Sequence, residues 1–91
     1  MPVIRLPALM RSYTSGNLLI PVQGETIQQA VDDLLRLYPA LRPHLTNDKG
    51  ELRPFVNLFL DQENIKNLSG METSLQEPDL IRLLLSISGG S

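Results

Sequence analysis

Apolar and polar positions change period several times along the chain, and each change marks an element. Val3-Ile4-Arg5-Leu6 has strand character and is limited by Pro7. Arg11 to Asn17 is turn-rich, with Ser15-Gly16-Asn17 as its punctuation. Leu18, Ile20 and Val22 then alternate with Leu19 and Pro21, which predicts a second strand. Proline cannot donate to a ladder, so this strand belongs at a sheet edge. The two segments predict an opening hairpin with a loose loop.

The period then lengthens. Ile27, Ala30, Val31, Leu34, Leu35 and Tyr38 recur at three- and four-residue steps, giving one apolar stripe along a helix. Thr26 and Gln29 have capping-box spacing at its start, and Pro39 stops it. Gln28, Gln29, Asp32, Asp33 and Arg36 fill the opposite side, where the two aspartates are read as solvated. Leu41 and Leu45 are expected to fold back beneath the helix. A turn at Asn47-Asp48-Lys49-Gly50 leads to Leu52–Leu60, a strand apolar on both sides of its alternation. Val56, Leu58 and Leu60 would face the helix, and Phe55, Asn57 and Phe59 would face away. Asp61-Gln62-Glu63-Asn64 reads as a turn, and Ile65 to Leu68 as one helical turn ended by Gly70. After a turn at Glu77-Pro78-Asp79, Leu80–Ile87 forms the last strand. Its double-sided apolar character places it centrally, with Ile81 and Leu83 inward and Arg82 and Leu84 outward.

The order strand, strand, helix, strand, helical turn, strand predicts an α+β domain with one main helix on one face of a mixed sheet of four to five strands. A central last strand parallel to the first makes this the ubiquitin-like β-grasp arrangement. We expect a single domain over residues 1–87 followed by a tail, residues 88–91, that carries Gly89-Gly90-Ser91.

Composition narrows the chemistry. The chain has 91 residues, no cysteine, and a net charge of −2, so thiolate metal sites and cysteine nucleophiles are excluded. The eight basic residues are scattered and only two Tyr and two Phe are present, which argues against nucleic acid. No stretch is long and apolar enough to span a membrane, and the start lacks the blocks of a secretory signal, so a cytoplasmic protein is expected. His44, the one histidine, is read as a solvated or packing residue. Asp61 and Glu63 offer too few oxygens for a cation loop, and no metal site is expected. The serines near the end, Ser86, Ser88 and Ser91, have no histidine base nearby in sequence, which argues against a hydrolase.

The tail has two readings. A frayed terminus is the ordinary one. The other is a thin strip, free of side chains at Gly89 and Gly90, that offers a carboxylate to another enzyme. Phe55, Phe59, Arg82 and Leu84 are expected to line the sheet face that the helix leaves open. Such residues are enriched where proteins dock.

Across nearly the whole chain the sequence resembles the ubiquitin-like sulfur carrier proteins, a family that includes the small subunit of molybdopterin synthase and the carriers of thiamine and cysteine synthesis. It is most similar to the first and third. The resemblance rests on Leu6-Pro7-Ala8-Leu9-Met10-Arg11, Gly24-Glu25-Thr26-Ile27, Tyr38-Pro39-Ala40-Leu41-Arg42, Leu52–Leu60, Asp61-Gln62-Glu63-Asn64-Ile65 and Gly89-Gly90, in that order. It implies a carrier rather than an enzyme, with no bound cofactor. The carboxylate of Gly90 would be adenylated with ATP by a ubiquitin-activating-type adenylyltransferase and converted to a thiocarboxylate. The client would be a cysteine synthase or the large subunit of molybdopterin synthase. The resemblance also implies that an apolar sheet patch beside the tail binds both partners.

The chain departs from the pattern in its last turn, where Glu77-Pro78-Asp79 replaces Asp-Gly-Asp. It departs again before the glycines, where Leu85-Ser86-Ile87-Ser88 carries no proline. Ser91 matters more, because it follows Gly90 and occupies the position of the reacting carboxylate. A processing peptidase would remove it if the carrier is active. Otherwise Ser91 is native to a chain without carrier function, or is foreign to the natural chain. Two further functions stay open: a ubiquitin-like modifier joined to lysines through Gly90, and a β-grasp interaction module with an inert tail.

Overall fold

A computed structural model describes residues 1–86. Gly89, Gly90, Ser91 and the expected boundary at Ile87 lie outside the described residues. Five strands form one mixed sheet: β1 Val3–Arg5, β2 Leu19–Pro21, β3 Val56–Leu60, β4 Glu63–Asn64 and β5 Leu80–Leu85, in the order β2-β1-β5-β3-β4. β1 and β5 run parallel, and β5 is antiparallel to β3. The last strand is therefore held on both sides, as its double-sided apolar sequence predicts. β2 lies at the edge, where Pro21 leaves no inner ladder bond unmade.

Helix α1, Ile27–Leu37, buries Ile27, Ala30, Val31, Leu34 and Leu35 against the sheet. Thr26 caps it, its Oγ1 accepting from the Gln29 amide at 3.2 Å. The return bond is displaced by one residue from the usual capping box: Gln29 Oε1 accepts from the Glu25 amide at 2.8 Å. The chain flanking Thr26 is pinned from outside as well. Ile27 donates to the Thr73 carbonyl at 3.0 Å and Leu75 donates to the Glu25 carbonyl at 2.9 Å. After Pro39 comes a 3-10 turn, Pro39–Leu41, and a short helix α2, Arg42–Leu45, which bury Leu41 and Leu45 as expected. The core joins these residues to Ile4, Ile20, Val22, Val56, Leu58, Ile81 and Leu83. No helix among the described residues is long and apolar enough to cross a membrane.

Several local expectations are corrected. The hairpin loop contains a six-residue 3-10 helix, Ala8–Tyr13, anchored by buried Met10. β3 starts at Val56 rather than Leu52, because Val56 donates to the Arg53 carbonyl at 3.0 Å and closes a turn over Pro54 and Phe55. Phe55 thus precedes the strand. Glu63 and Asn64, read as part of a turn, pair with Leu60 and Phe59 to form β4. The helical turn Ile65–Asn67 ends before Gly70, which instead opens a second 3-10 turn, Gly70–Glu72, with φ of 59°.

Asp33 is not merely solvated. Its carboxylate accepts from the Gln23 amide at 2.9 Å and from Arg36 Nη2 at 2.6 Å, tying the end of β2 to α1. The Gln23 amide and then Arg36 hold its carboxyl below the usual carboxylate range, against the opposing effect of burial.

Candidate functional site

The strand register decides which side chains share the uncovered sheet face. Phe59 of β3 lies opposite Arg82 of β5, and Asn57 opposite Leu84. On the other flank of β5, Arg5 lies beside Arg82 and Val3 beside Leu80. β2 adds Leu19 opposite Arg5 and Pro21 opposite Val3. Phe59, Arg82 and Leu84 are therefore brought together, as their alternation predicts. The Arg82 guanidinium sits 5.4 Å from the Phe59 ring centroid, and its Nη2 donates to the Asp61 carbonyl at 3.2 Å. That carbonyl is presented by a residue with φ of 58°, at the tight turn between β3 and β4. The cation–π contact contributes about 0.5–1 kcal/mol at such an exposed site. Its more useful effect is to fix where the charge lies. Leu84 and Leu19 remain 41% and 61% exposed beside it.

Phe55 goes elsewhere. It lines a groove of about 420 Å³ with Leu9, Met10, Tyr13, His44 and Leu85, beside the exit of β5. The Tyr13 and His44 rings stack at 4.2 Å between centroids, so His44 is a packing residue on the wall of this groove. Arg53 closes one side, its Nε donating to the Pro43 carbonyl at 2.9 Å. The Ser86 amide donates to the Phe55 carbonyl at 2.7 Å and fixes the end of β5 against this wall. The expected four-residue surface is thus divided: three residues on the open face and Phe55 around the strand end. Gly89, Gly90 and Ser91 follow β5 after Ser86, Ile87 and Ser88, and lie outside the described residues.

Sequence reasoning passed over Arg5 and Leu19. The alternation of β1 and β2 contained them, since Ile4 and Ile20 are buried and their neighbours must point outward. The groove had no such signal, because it joins four separate segments. Among the described residues, no group of three or more His, Asp or Glu side chains is arranged to hold a metal ion.

The fold is a small β-grasp domain whose central strand precedes Gly89-Gly90 in sequence, with an apolar and cationic open sheet face. Residues 4–90 match the ThiS family. The chain belongs to that family and is a sulfur carrier protein of the ThiS type, a carrier and not a catalyst. It is 25% identical over 89 residues to sulfur carrier protein CysO of Mycobacterium tuberculosis strain H37Rv, covering 96% of each chain. The fold is similar to that of CysO in a crystal structure of the Amycolatopsis orientalis BexX/CysO complex, with a TM-score of 0.86 at 20% identity over 96% of this chain and 97% of that one. Small archaeal modifier protein 1 of Methanosarcina acetivorans is 30% identical, with a TM-score of 0.83 over 98% of this chain and 95% of the other.

Proposed function

We propose that the carboxylate of Gly90, freed by cleavage of the Gly90–Ser91 bond, is the group that carries sulfur. The observation behind this reading is the reach of the family match, which runs through both glycines and stops one residue short of Ser91. A free carboxylate resists substitution because its leaving group is poor. Attack of the Gly90 carboxylate on the α-phosphorus of ATP, with release of pyrophosphate, makes an acyl adenylate with a good one. Hydrosulfide then displaces AMP at the carbonyl carbon, leaving a thiocarboxylate. A ubiquitin-activating-type adenylyltransferase supplies the active site for activation. Absence of Cβ at Gly89 and Gly90 lets the strip enter a channel that any other residue would obstruct. Similarity to proteins named CysO favours an enzyme of cysteine synthesis as the client over molybdopterin synthase.

The test uses the chain ending at Gly90, incubated with ATP, sulfide and the adenylyltransferase of the same genome. The expected terminus gains the mass difference between sulfur and oxygen, and the chain ending at Ser91 gains nothing. No thiocarboxylate on the Gly90-ended chain refutes the carrier chemistry. An active native pool that still contains Ser91 refutes the processing step. The likeness to small archaeal modifier protein 1 favours a second reading, in which Gly90 is joined to a lysine amine. That reading predicts isopeptide-linked conjugates in cell extracts, absent when Gly90 is deleted.

A further inference from the structure

We infer that the open sheet face selects its partner through carboxylates: Arg5 and Arg82 together receive Asp or Glu side chains of the adenylyltransferase, inside an apolar rim of Leu19, Leu84 and Phe59. The inference rests on the carrier reading for the identity of the partner, and on the register for its chemistry. Arg5 and Arg82 are direct neighbours on the parallel strands β1 and β5. Like charges placed side by side in a sheet oppose folding unless something balances them. Among the described residues no carboxylate pairs with either arginine; the contact Arg82 makes with Asp61 is to its carbonyl, at 3.2 Å. The outward strand positions are Val3, Arg5, Leu19, Pro21, Asn57, Phe59, Asn64, Leu80, Arg82 and Leu84, with no Asp or Glu among them. Ion pairs among the described residues join Met1 to Glu77 and Arg36 to Asp33, so neither face arginine has a carboxylate partner. The acid nearest in sequence to β5, Asp79, spends its carboxylate on the Gln76 amide at 2.7 Å.

The protein as a whole is negative, at −2, yet this face is positive. Such local inversion steers a partner of opposite sign. The two arginines line one depression of about 400 Å³ between the ends of β1 and β5, room for carboxylate side chains from an opposing surface. A guanidinium matches a carboxylate by two parallel hydrogen bonds. A phosphate would satisfy the same charges, but it would leave Leu19 and Leu84 facing water. An acidic protein surface with apolar residues around it covers both.

The experiment measures association of the full chain with the adenylyltransferase of the same genome, in about 50 mM and about 0.5 M NaCl. Arg5→Glu and Arg82→Glu are each expected to slow association about tenfold at low salt, with most of the difference gone at high salt. Arg82→Lys should retain most of the rate, and Arg42→Glu, on exposed α2, should change it less than about twofold. Replacing the facing acid of the partner by arginine should restore binding of Arg5→Glu. Melting curves accompany each variant, and Arg5→Glu carries the test if Arg82→Glu does not fold. Reversals without effect, or an equal loss for Arg42→Glu, overturn the inference and leave the carrier reading intact. Competition by inorganic phosphate at about 10 mM, beyond that of chloride at equal ionic strength, assigns the pair to a phosphate and also overturns it. Failure of the unaltered chain to bind the adenylyltransferase at all removes both readings.

Discussion

Leu83 and Leu84 are neighbours on the central strand, and the alternation of β5 gives them opposite duties. Leu83 is 2% exposed in the core, whereas Leu84 stands on the open face. Removing Leu83 by Leu83→Ala leaves a cavity and is expected to cost about 2–5 kcal/mol. A domain of this length holds about 5–14 kcal/mol in total, so the melting temperature should fall by roughly 10–30 °C. Leu84→Thr preserves strand propensity and opens no cavity, so its cost to folding should stay below about 1 kcal/mol. Its effect should appear in docking instead. Full burial of a leucine is favourable by about 1.5–3 kcal/mol. With 41% of Leu84 still exposed, a partner that covers it gains about 0.6–1.2 kcal/mol, a three- to eightfold change in affinity. Thermal melting by circular dichroism and biolayer interferometry against the adenylyltransferase read the two effects separately. A melting loss for Leu84→Thr as large as that of Leu83→Ala would refute the register argument. Unchanged affinity for Leu84→Thr would refute the docking role of this face.

Two further substitutions test how the frame is held. Gly24 has φ of 156°, and a Cβ there would lie 2.7 Å from the Ala30 amide nitrogen and 2.9 Å from the Gln29 Cβ. Gly24→Ala should therefore destabilise by about 2–4 kcal/mol in urea, against about 1 kcal/mol for Gly50→Ala, whose added methyl meets open space; equal costs would contradict the close approach of this chain to α1. Asp33→Asn should cost about 1–2 kcal/mol near neutral pH, because it weakens the bonds to Gln23 and Arg36. The folded carboxyl titrates below its unfolded value, so the contribution is complete above that value, near 3.9, and is lost as pH falls through the lower folded one. The stability gap between the two proteins should therefore narrow in acid, and a gap that does not narrow as pH falls below the ordinary carboxylate range would exclude Asp33 as its source.

What could be read in advance depended on whether a position was set by its own strand or helix. The stripe from Ile27 to Leu35 and the alternation of Leu80–Leu85 each follow from one element burying one face, so a single sequence suffices. Pro21 marked the edge for the same reason, a missing donor that no context restores. Phe55 shows where that logic stops. Its neighbours alternate like a strand, but Pro54 and the Arg53–Val56 turn hold it out of the ladder, and it faces Leu9 and Tyr13. β4 is two residues long and exists only through pairing with Leu60 and Phe59, so no local pattern could announce it. Asp33 looked like any exposed helix acid because its decisive partner, the Gln23 amide, lies ten residues away. The pairing of Arg5 with Arg82 likewise needed the register between the first and last strands.

Chain geometry limits where a partner that acts on Gly90 can sit. The Ser86 amide, bonded to the Phe55 carbonyl, is the last anchor of β5 in the described chain, and four residues separate Ser86 from the end of Gly90. Fully extended, four residues reach about 13–14 Å. Any enzyme that acts on the Gly90 carboxylate must therefore place its reacting atoms within that distance of Ser86. A protein surface that comes so near cannot avoid the end of β5. Leu84 stands on one side of that end and Leu85, with Phe55, on the other. On the reading that Gly90 reacts, the apolar residues left uncovered there lie where a partner acting on it would touch. Central placement of β5 completes the arrangement, because a strand bonded to β1 and β3 resists being peeled out when its terminus is gripped. A carrier of this design needs no catalytic side chain. On the reading proposed above, what it needs is a firm strand, a short tether, and a face that admits the right enzyme to its end.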